Sequence, residues 1–211
     1  MTAAAQHRGA GGPVVGASVG AVTSYTFTNV TEAHTISAAF AIDTYAITAS
    51  AGANGSVSPA GATQVDHDAD LAFTVSPAAH YHVADVRVDG ASVGAVTSYT
   101  FSNVTEAHTI SATFAIDTYA ITASAGAHGS VSPAGATQVD HGADLAFTIT
   151  AATHYHVVDV LVDGASVGVV TNFTFTNVTE AHTIAASFAI DTYTITASAG
   201  AHGSVSPAGA T

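Results

Sequence analysis

The sequence repeats itself at a fixed period, and this period constrains the fold more than any other feature. Tyr45, Tyr119 and Tyr193 each open the same phrase, Y-x-I-T-A-S-A-G-A. Residues 45–118 and 119–192 are two full copies, which differ at 14 of 74 positions when aligned without gaps. Near-identical copies at a fixed spacing are typical of repeat architectures, in which each copy is one structural unit.

Partial copies flank the two full copies. Residues 16–44 match 90–118, the back part of a copy, with two differences, and residues 193–211 match 119–137, the front part, with one. The partial copies together lack an equivalent of residues 64–89, and residues 1–15 form a segment that matches no part of the repeat. We expect a fragment of a longer array; the alternative is that the two ends complete one another between molecules.

The charge balance argues against two classes of partner. The chain has 2 Lys and Arg against 15 Asp and Glu, a formal net charge of −13. Because nucleic acids and anionic membranes bind clustered Lys and Arg, we expect neither as a partner. No apolar run approaches the roughly 18 residues of a membrane helix, so we also expect no membrane insertion.

Composition also points to a location outside the cell. Charged residues make up 8% of the chain, so its polar surface comes from Ser, Thr, Asn, Gly and His, as suits a secreted or cell-surface protein. No cysteine is present for a disulfide or a thiolate metal site. Residues 1–16 lack the charged start and apolar centre of a secretory signal, so we expect an exported form to have its leader elsewhere.

Each full copy reads as a series of short β-strands separated by turns. Apolar residues alternate with small or polar ones, and no window has a helical period. Within residues 81–88 the apolar phase slips between Val83 and Val86, which predicts a β-bulge. The predicted strands of the first full copy are 45–50, 56–58, 71–75, 81–88, 91–94, 99–101 and 109–114. We predict an all-β fold of tandem repeat domains, each a small antiparallel sheet or sandwich of six to eight short strands.

Residues typical of turns separate these strands. Asn54-Gly55 and Asp89-Gly90 are two-residue hairpin signals, and Pro59-Ala60-Gly61 marks another reversal. His128 and His202 replace Asn54 in the later copies. Because histidine tolerates a left-handed backbone better than most residues, we expect the same turn in all copies.

The connection between the full copies is short. Only Ile116-Asp117-Thr118 separates the last predicted strand of one copy from the first strand of the next. A joint of this length without a Gly or Ser run is not a flexible tether. We therefore expect a rod-like array that lengthens by about 30 Å with each copy.

Two phrases of the repeat resemble a known family. YAITASAGANGSVSPAG and HYHVADVRVDGASVGAVTSYTFSNVTEAHTISATF resemble the divergent internalin-type B-repeat family of bacterial surface and secreted proteins, over residues 16–211. The resemblance implies a small β-rich module of extracellular proteins, often beside adhesive or carbohydrate-active domains, with no catalytic residues. The better-known internalin B-repeats are similar to a β-grasp fold with a helix, which this sequence does not predict. His80 and His154 stand where the family usually has glycine.

Two histidine pairs form the strongest candidate metal site. His80 and His82, repeated as His154 and His156, lie two positions apart, and on a strand such residues share a face. A third ligand would be needed, for which the candidates are His67 and Asp85. We favour two polar residues that flank a buried tyrosine, and predict neither a metal nor another cofactor.

Other polar positions have structural interpretations. Residues 66–70, Asp-His-Asp-Ala-Asp, have the carboxylates of a Ca²⁺ loop, but the second copy loses one of them and no glutamate closes the loop, so we predict a solvated acidic turn. His108 and His182 are interpreted as hydrogen-bonded structural histidines. The N-x-T asparagines are interpreted as hydrogen-bonding turn residues: Asn29, Asn103, Asn172 and Asn177.

These patterns favour a non-catalytic function. Ser, His and Asp are abundant, but none lies in a nucleophile motif. We predict a spacer, stalk or adhesion module at the cell surface or outside the cell, with the neighbouring repeats of the same chain as its partners. One alternative is a self-assembling filament subunit joined through its partial copies. Another is a module for host glycans or proteins, with Tyr81, Tyr99 and Tyr155 as stacking platforms.

The 12 histidines carry a further expectation. Their full protonation would change the formal charge from −13 to −1. Because self-repulsion would then nearly vanish, we expect association to increase as the pH falls through about 6.

Overall fold

The computed structural model describes the backbone of residues 7–11, 13–14, 17–206 and 209–210, and the side chains of residues 18–206. These residues form β-strands and turns, without a helix. The strands in chain order are β1 (His7–Gly11), β2 (Pro13–Val14), β3 (Ala17–Ser18), β4 (Ala39–Ile42), β5 (Thr44–Ala51), β6 (Gly55–Ser58), β7 (Gly61–Asp66), β8 (Leu71–Pro77), β9 (Tyr81–Val88), β10 (Ala91–Gly94), β11 (Ser98–Phe101), β12 (His108–Ile116), β13 (Thr118–Ala125), β14 (Gly129–Ser132), β15 (Gly135–Asp140), β16 (Leu145–Ala151), β17 (Tyr155–Val162), β18 (Ala165–Gly168), β19 (Asn172–Phe175), β20 (His182–Ile190), β21 (Thr196–Ala197) and β22 (Gly209–Ala210).

The chain divides into two compact units, Met1–Ala115 and Ile116–Thr211. Each unit holds nearly all of one full copy, and each copy has its own cluster of buried side chains. The boundary between the units lies close to the end of the first copy at Thr118. The prediction of an all-β chain with tandem repeat domains is confirmed.

Eight strands of each full copy form two sheets. In the first copy a five-stranded sheet has the order β10-β9-β12-β5-β7, and a three-stranded sheet has the order β11-β8-β6. The second copy repeats this arrangement as β15-β13-β20-β17-β18 and β14-β16-β19. Both sheets contribute buried side chains to one cluster, so each copy is a small sandwich of eight strands, within the predicted range of six to eight.

The first and last strands of each copy are parallel neighbours. In the first copy β12 pairs with β5 from His108 opposite Ile47 to Ala112 opposite Ala51, and β20 pairs with β13 in the same register. The predicted antiparallel pairing does not hold between these two strands of each copy, which are parallel. Alternation of apolar and polar residues says which face of a strand is buried, but both strand directions satisfy it.

The core consists of the alternating apolar residues that were predicted to face inward from each strand. In β8, Phe73 and Val75 are buried and Leu71 is half-buried. The predicted bulge is confirmed in the second copy, where the register of β17 against β20 shifts between Val157 and Asp159. The side chains with less than 2% exposure are Phe73, Phe147, Ile47, Ile110, Ile121, Ile184, Val75, Val86, Val104, Val160 and Val178.

One predicted hairpin is confirmed and one is not. Asp89 and Gly90 have φ angles of 49° and 81° and join the paired strands β9 and β10. Asn54 also has the left-handed backbone, as do its replacements His128 and His202. However, β5 pairs with β7 whereas β6 pairs with β8, so the turn at Asn54 transfers the chain to the other sheet.

This transfer depends on a close approach at the glycine after the turn. A Cβ atom on Gly55 would lie well inside van der Waals contact of the Phe114 ring, and one on Gly129 would meet Phe188 in the same way. The glycine is therefore required by packing against the aromatic side chain.

We expect Gly129→Ala to lower the free energy of unfolding by about 1–3 kcal/mol, because the Phe188 ring must move. Gly203→Ala is the matched control, since Gly203 is the equivalent glycine of the front partial copy and an added Cβ there would meet no atom within 4 Å. Urea unfolding curves measure both changes. Equal effects of the two substitutions would contradict this account.

Candidate functional site

A polar cluster surrounds the β9–β10 turn of each full copy. In the first copy, Nδ1 of His108 donates to Oδ2 of Asp89 over 2.8 Å. The backbone N–H of Thr109 donates to Oδ1 of the same carboxylate over 2.7 Å, and the N–H of Asp89 donates to the Thr109 carbonyl over 3.0 Å. The Thr109 hydroxyl donates a longer fourth bond to Oδ1 over 3.4 Å, so four hydrogen bonds join the turn to the start of β12.

An aromatic ring covers the histidine of this cluster. The rings of His108 and Phe101 are stacked with centroids 4.9 Å apart, and the histidine side chain is 22% exposed. The second copy repeats the cluster with Asp163, Thr183 and His182, at the same distances. We name the Asp, His and Thr of each copy the Asp-turn cluster.

The hydrogen bonds of the cluster act on the acidity of its aspartate. The bond from His108, followed by that from the Thr109 N–H, lowers the pKa of Asp89 below its ordinary value of 3.8, and His182 and Thr183 lower the pKa of Asp163. Because these bonds exist only in the folded state, they stabilise the fold above the ordinary pKa. That contribution is lost as the pH falls through the lower, folded pKa.

We expect replacement of both Asp89 and Asp163 by Asn to lower the free energy of unfolding at pH 7 by about 1 kcal/mol per site, since both carboxylates are half exposed. Asparagine tolerates the left-handed backbone, so the turn should persist. We also expect a shallower loss of stability below about pH 4, where the wild-type carboxylates become protonated.

The control replaces Glu106 and Glu180 by Gln, which removes the same charge from exposed positions. Unfolding is followed by circular dichroism between pH 2 and 7 for both variants. An acid dependence that is the same in the Asp and Glu variants would show that the cluster does not set it.

The chemistry of the cluster is that of a structural contact. An imidazole held by a carboxylate is part of the arrangement used for general-base catalysis, which also needs a nucleophile within hydrogen-bond reach of the other ring nitrogen. Among residues 18–206, no hydrogen bond joins a hydroxyl to Nε2 of His108 or His182. The predicted hydrogen bonds of these histidines are confirmed, whereas their purely structural role stays a prediction.

The aspartate of the cluster was assigned only a turn role by sequence reasoning. Asp89 was predicted as the first residue of a hairpin turn, not as an acceptor for a strand twenty residues later. A signal does exist, since the Asp-Gly turn and the His-Thr pair recur together in both copies. Their spacing alone does not place them side by side, because it does not say that β9 and β12 are neighbours.

The premise of the histidine metal site is wrong. His80 and His154 have φ angles of 66° and 69° and lie in the turn before the strand, which begins at the following tyrosine. The two histidines of a pair therefore do not alternate along one strand. In the second copy, Nδ1 of His156 lies 2.9 Å from Oδ1 of Asp191, and the Tyr155 ring stacks on a different histidine, His128, with centroids 4.1 Å apart.

The proposed third ligands have other contacts. Nδ1 of His67 lies 3.0 Å from Oδ2 of Asp68. Asp85 accepts hydrogen bonds from Ser92 over 2.5 Å and from Arg87 over 3.1 Å. In the part of the chain that the structure describes, no three His, Asp or Glu side chains are grouped as a metal would require. The absence of a bound metal stays a prediction.

The acidic segment 66–70 forms a turn whose carboxylates do not converge. Oδ1 of Asp70 accepts the backbone N–H of Asn103 over 2.8 Å, and Asp144 and Asn177 make the equivalent bond. Asp68 has a φ angle of 63°, and the glycine that replaces it in the second copy has 80°. The substitution therefore preserves a left-handed backbone.

Three sequon asparagines are turn residues, as predicted. Asn29, Asn103 and Asn177 each have a φ angle of 50°. The prediction is wrong for Asn172, which is the first residue of β19. Its sequon overlaps a strand because the second copy has Asn where the first has Ser98.

The candidate stacking tyrosines are only partly accessible. Tyr81, Tyr99 and Tyr155 are all half-buried, and Tyr99 packs on the core of its copy. The Tyr99 ring meets Phe101 edge-on at 4.9 Å. These positions contribute to packing at least as much as to an outer surface.

The fold and its repeated turn cluster define a tandem all-β repeat protein. No helix among the described residues is long and apolar enough to span a membrane. A family model described as "Divergent InlB B-repeat domain" matches residues 45–118 and 119–192, which is more than half of the sequence. The chain therefore belongs to the divergent InlB B-repeat family. No curated protein and no solved structure shows significant similarity to it.

Proposed function

We propose that this chain is a non-catalytic spacer or stalk segment of a bacterial cell-surface or secreted protein. The observation that carries the proposal is the repetition of one self-contained sandwich across a joint of one residue. β12 ends at Ile116 and β13 begins at Thr118, so only Asp117 lies outside a strand. Family membership supports a repeat module of surface-type proteins.

The pattern of differences between the copies supports a mechanical role. Of the 24 buried apolar residues in the two cores, only Val75 and Ile149 differ between equivalent positions. Selection for a binding surface would be expected to keep exposed positions constant as well. The other differences lie outside the cores, as where the exposed Leu161 replaces Arg87.

The surface charge favours a spacer function over a binding function. Arg87 is the only Lys or Arg in residues 18–206, whereas carboxylates are present throughout both copies. Neighbouring molecules at neutral pH therefore repel one another, which keeps such segments separate. A binding function for glycans is less well supported, because Tyr81, Tyr99 and Tyr155 are half-buried.

We expect chains with two, four and six full copies to increase in maximum dimension by about 30 Å per copy, measured by small-angle X-ray scattering. A matched series with a ten-residue Gly-Ser insertion after Asp117 and its equivalents should follow a weaker, square-root-like increase. If the native series also follows the square root of copy number, the joint is flexible and the spacer proposal fails.

A further inference from the structure

Apolar side chains that are buried in both full copies are exposed in the back partial copy, residues 16–44. Val30 is 59% exposed, whereas its equivalents Val104 and Val178 are each 1% exposed. Ile36 is 42% exposed, against 1% at Ile110. Since the back part is identical to 90–118 at all but two positions, its sequence is suited to a core that it does not have here.

The residues before the back partial copy replace one missing strand. β1 pairs with β4 from His7 opposite Ile42, with a register shift between Gly9 and Gly11. This is the register of β17 against β20, including the bulge. The β2–β3 pair likewise reproduces the pairing of β9 with β10. Although residues 1–15 do not match the repeat in sequence, their described backbone takes the place of β9.

The opposite side of the back part lacks its neighbour. In the full copy β12 starts at His108, and residues 108–112 pair in parallel with β5. β4 starts only at Ala39, so residues 34–38, the equivalents of 108–112, lie outside the strands and have a single β-bridge, at Ile36. What these residues lack is a counterpart of β5.

The front partial copy contains that counterpart. β21 pairs with β22 through Thr196 opposite Ala210 and Ala197 opposite Gly209, which is the register of β5 against β7. Ile195 is 72% exposed, whereas its equivalent Ile47 is fully buried. This hairpin is the edge that β12 contacts in a full copy.

We propose that residues 195–199 of one molecule pair in parallel with residues 34–38 of a second molecule. The register follows from the full copies, with Thr35 opposite Thr196 and Ile36 opposite Ala197. The pairing completes a five-stranded sheet from two molecules and buries Ile36 and Ile195 in a shared core. The occupant is a second copy of this chain, because it carries the strand that each full copy uses.

Two physical factors weaken this association and make it adjustable. No counterpart of β8 belongs to either partial copy, so the shared core lacks the side chains equivalent to Phe73 and Val75. The formal charge of −13 also opposes contact between two copies. We therefore expect association that increases with salt and at lower pH. The inference does not depend on the spacer function.

Cross-linking tests the register directly, since the chain has no native cysteine. Thr35→Cys combined with Thr196→Cys places two thiols opposite each other on the outer face, at a Cα separation that a disulfide can span. We expect oxidation to give covalent dimers and higher species on non-reducing gels. Thr35→Cys with Ser198→Cys, shifted by two positions, is the control and should cross-link at least tenfold less.

A result of equal cross-linking in both pairs, or of cross-linked monomers alone, would overturn the proposal. The first outcome would show contact without the parallel register. The second would show that the front and back parts meet within one chain. Disulfide formation is scored on the full-length chain, so both full copies serve as an internal measure of folding by circular dichroism.

Sedimentation velocity over a range of concentrations gives an independent measurement. We expect Ile36→Asp and Ile195→Asp each to weaken self-association at least tenfold. Val169→Asp is the charge-matched control, because Val169 is 68% exposed in a full copy and lies outside both partial copies. If all three variants associate equally, or if the wild type is monomeric at every salt concentration and at pH 5, the proposal is wrong.

Discussion

The parallel contact between the first and last strands closes each repeat. Without the β5–β12 pair, the five-stranded sheet separates into the hairpin β5–β7 and the group β10-β9-β12. These strands are adjacent in space but lie at opposite ends of the copy in sequence. Because the two strands are parallel, the chain enters the copy at one end of this pair and leaves it at the other. From there β13 of the next copy starts after only one residue, Asp117.

The differences between the copies show which positions the fold constrains. Most of the 14 differences lie at exposed positions. Two lie at turns where the backbone is left-handed, and both replacements keep that backbone: Asn54 becomes His128, and Asp68 becomes Gly142. The buried change from Val75 to Ile149 adds one methylene, which a core of this kind can absorb at small cost. The fold thus tolerates a changing outer face as long as turn geometry and core volume remain.

The sequence predicted seven of the eight strands of a copy, because their inward faces are set by local alternation, and it missed β7 at Gly61–Asp66. Leu71, Phe73 and Val75 show this pattern, and the bulge was visible as a break in it. What the sequence could not supply was the partner of each strand. The Asn54-Gly55 turn has the composition of a hairpin, yet Phe114, from the last strand of the copy, occupies the space beside Gly55 and β6 joins the other sheet. Turn chemistry is local, whereas strand pairing is decided by contacts across the whole copy.

The same limit applied to the candidate sites. His80 and His82 looked like ligands only on the assumption of a continuous strand, and the left-handed backbone at His80 removes that assumption. The Asp-turn cluster was missed for the converse reason, since its members become neighbours only when β9 lies beside β12. The second case depends on the sheet order, in which β9 lies next to β12 and β12 next to β5. A partial copy that keeps β9-like and β12-like strands but lacks β5 exposes the edge at which closure occurs. The front part of the same repeat is the partner that we propose for this edge, where Val30 and Ile36 are exposed.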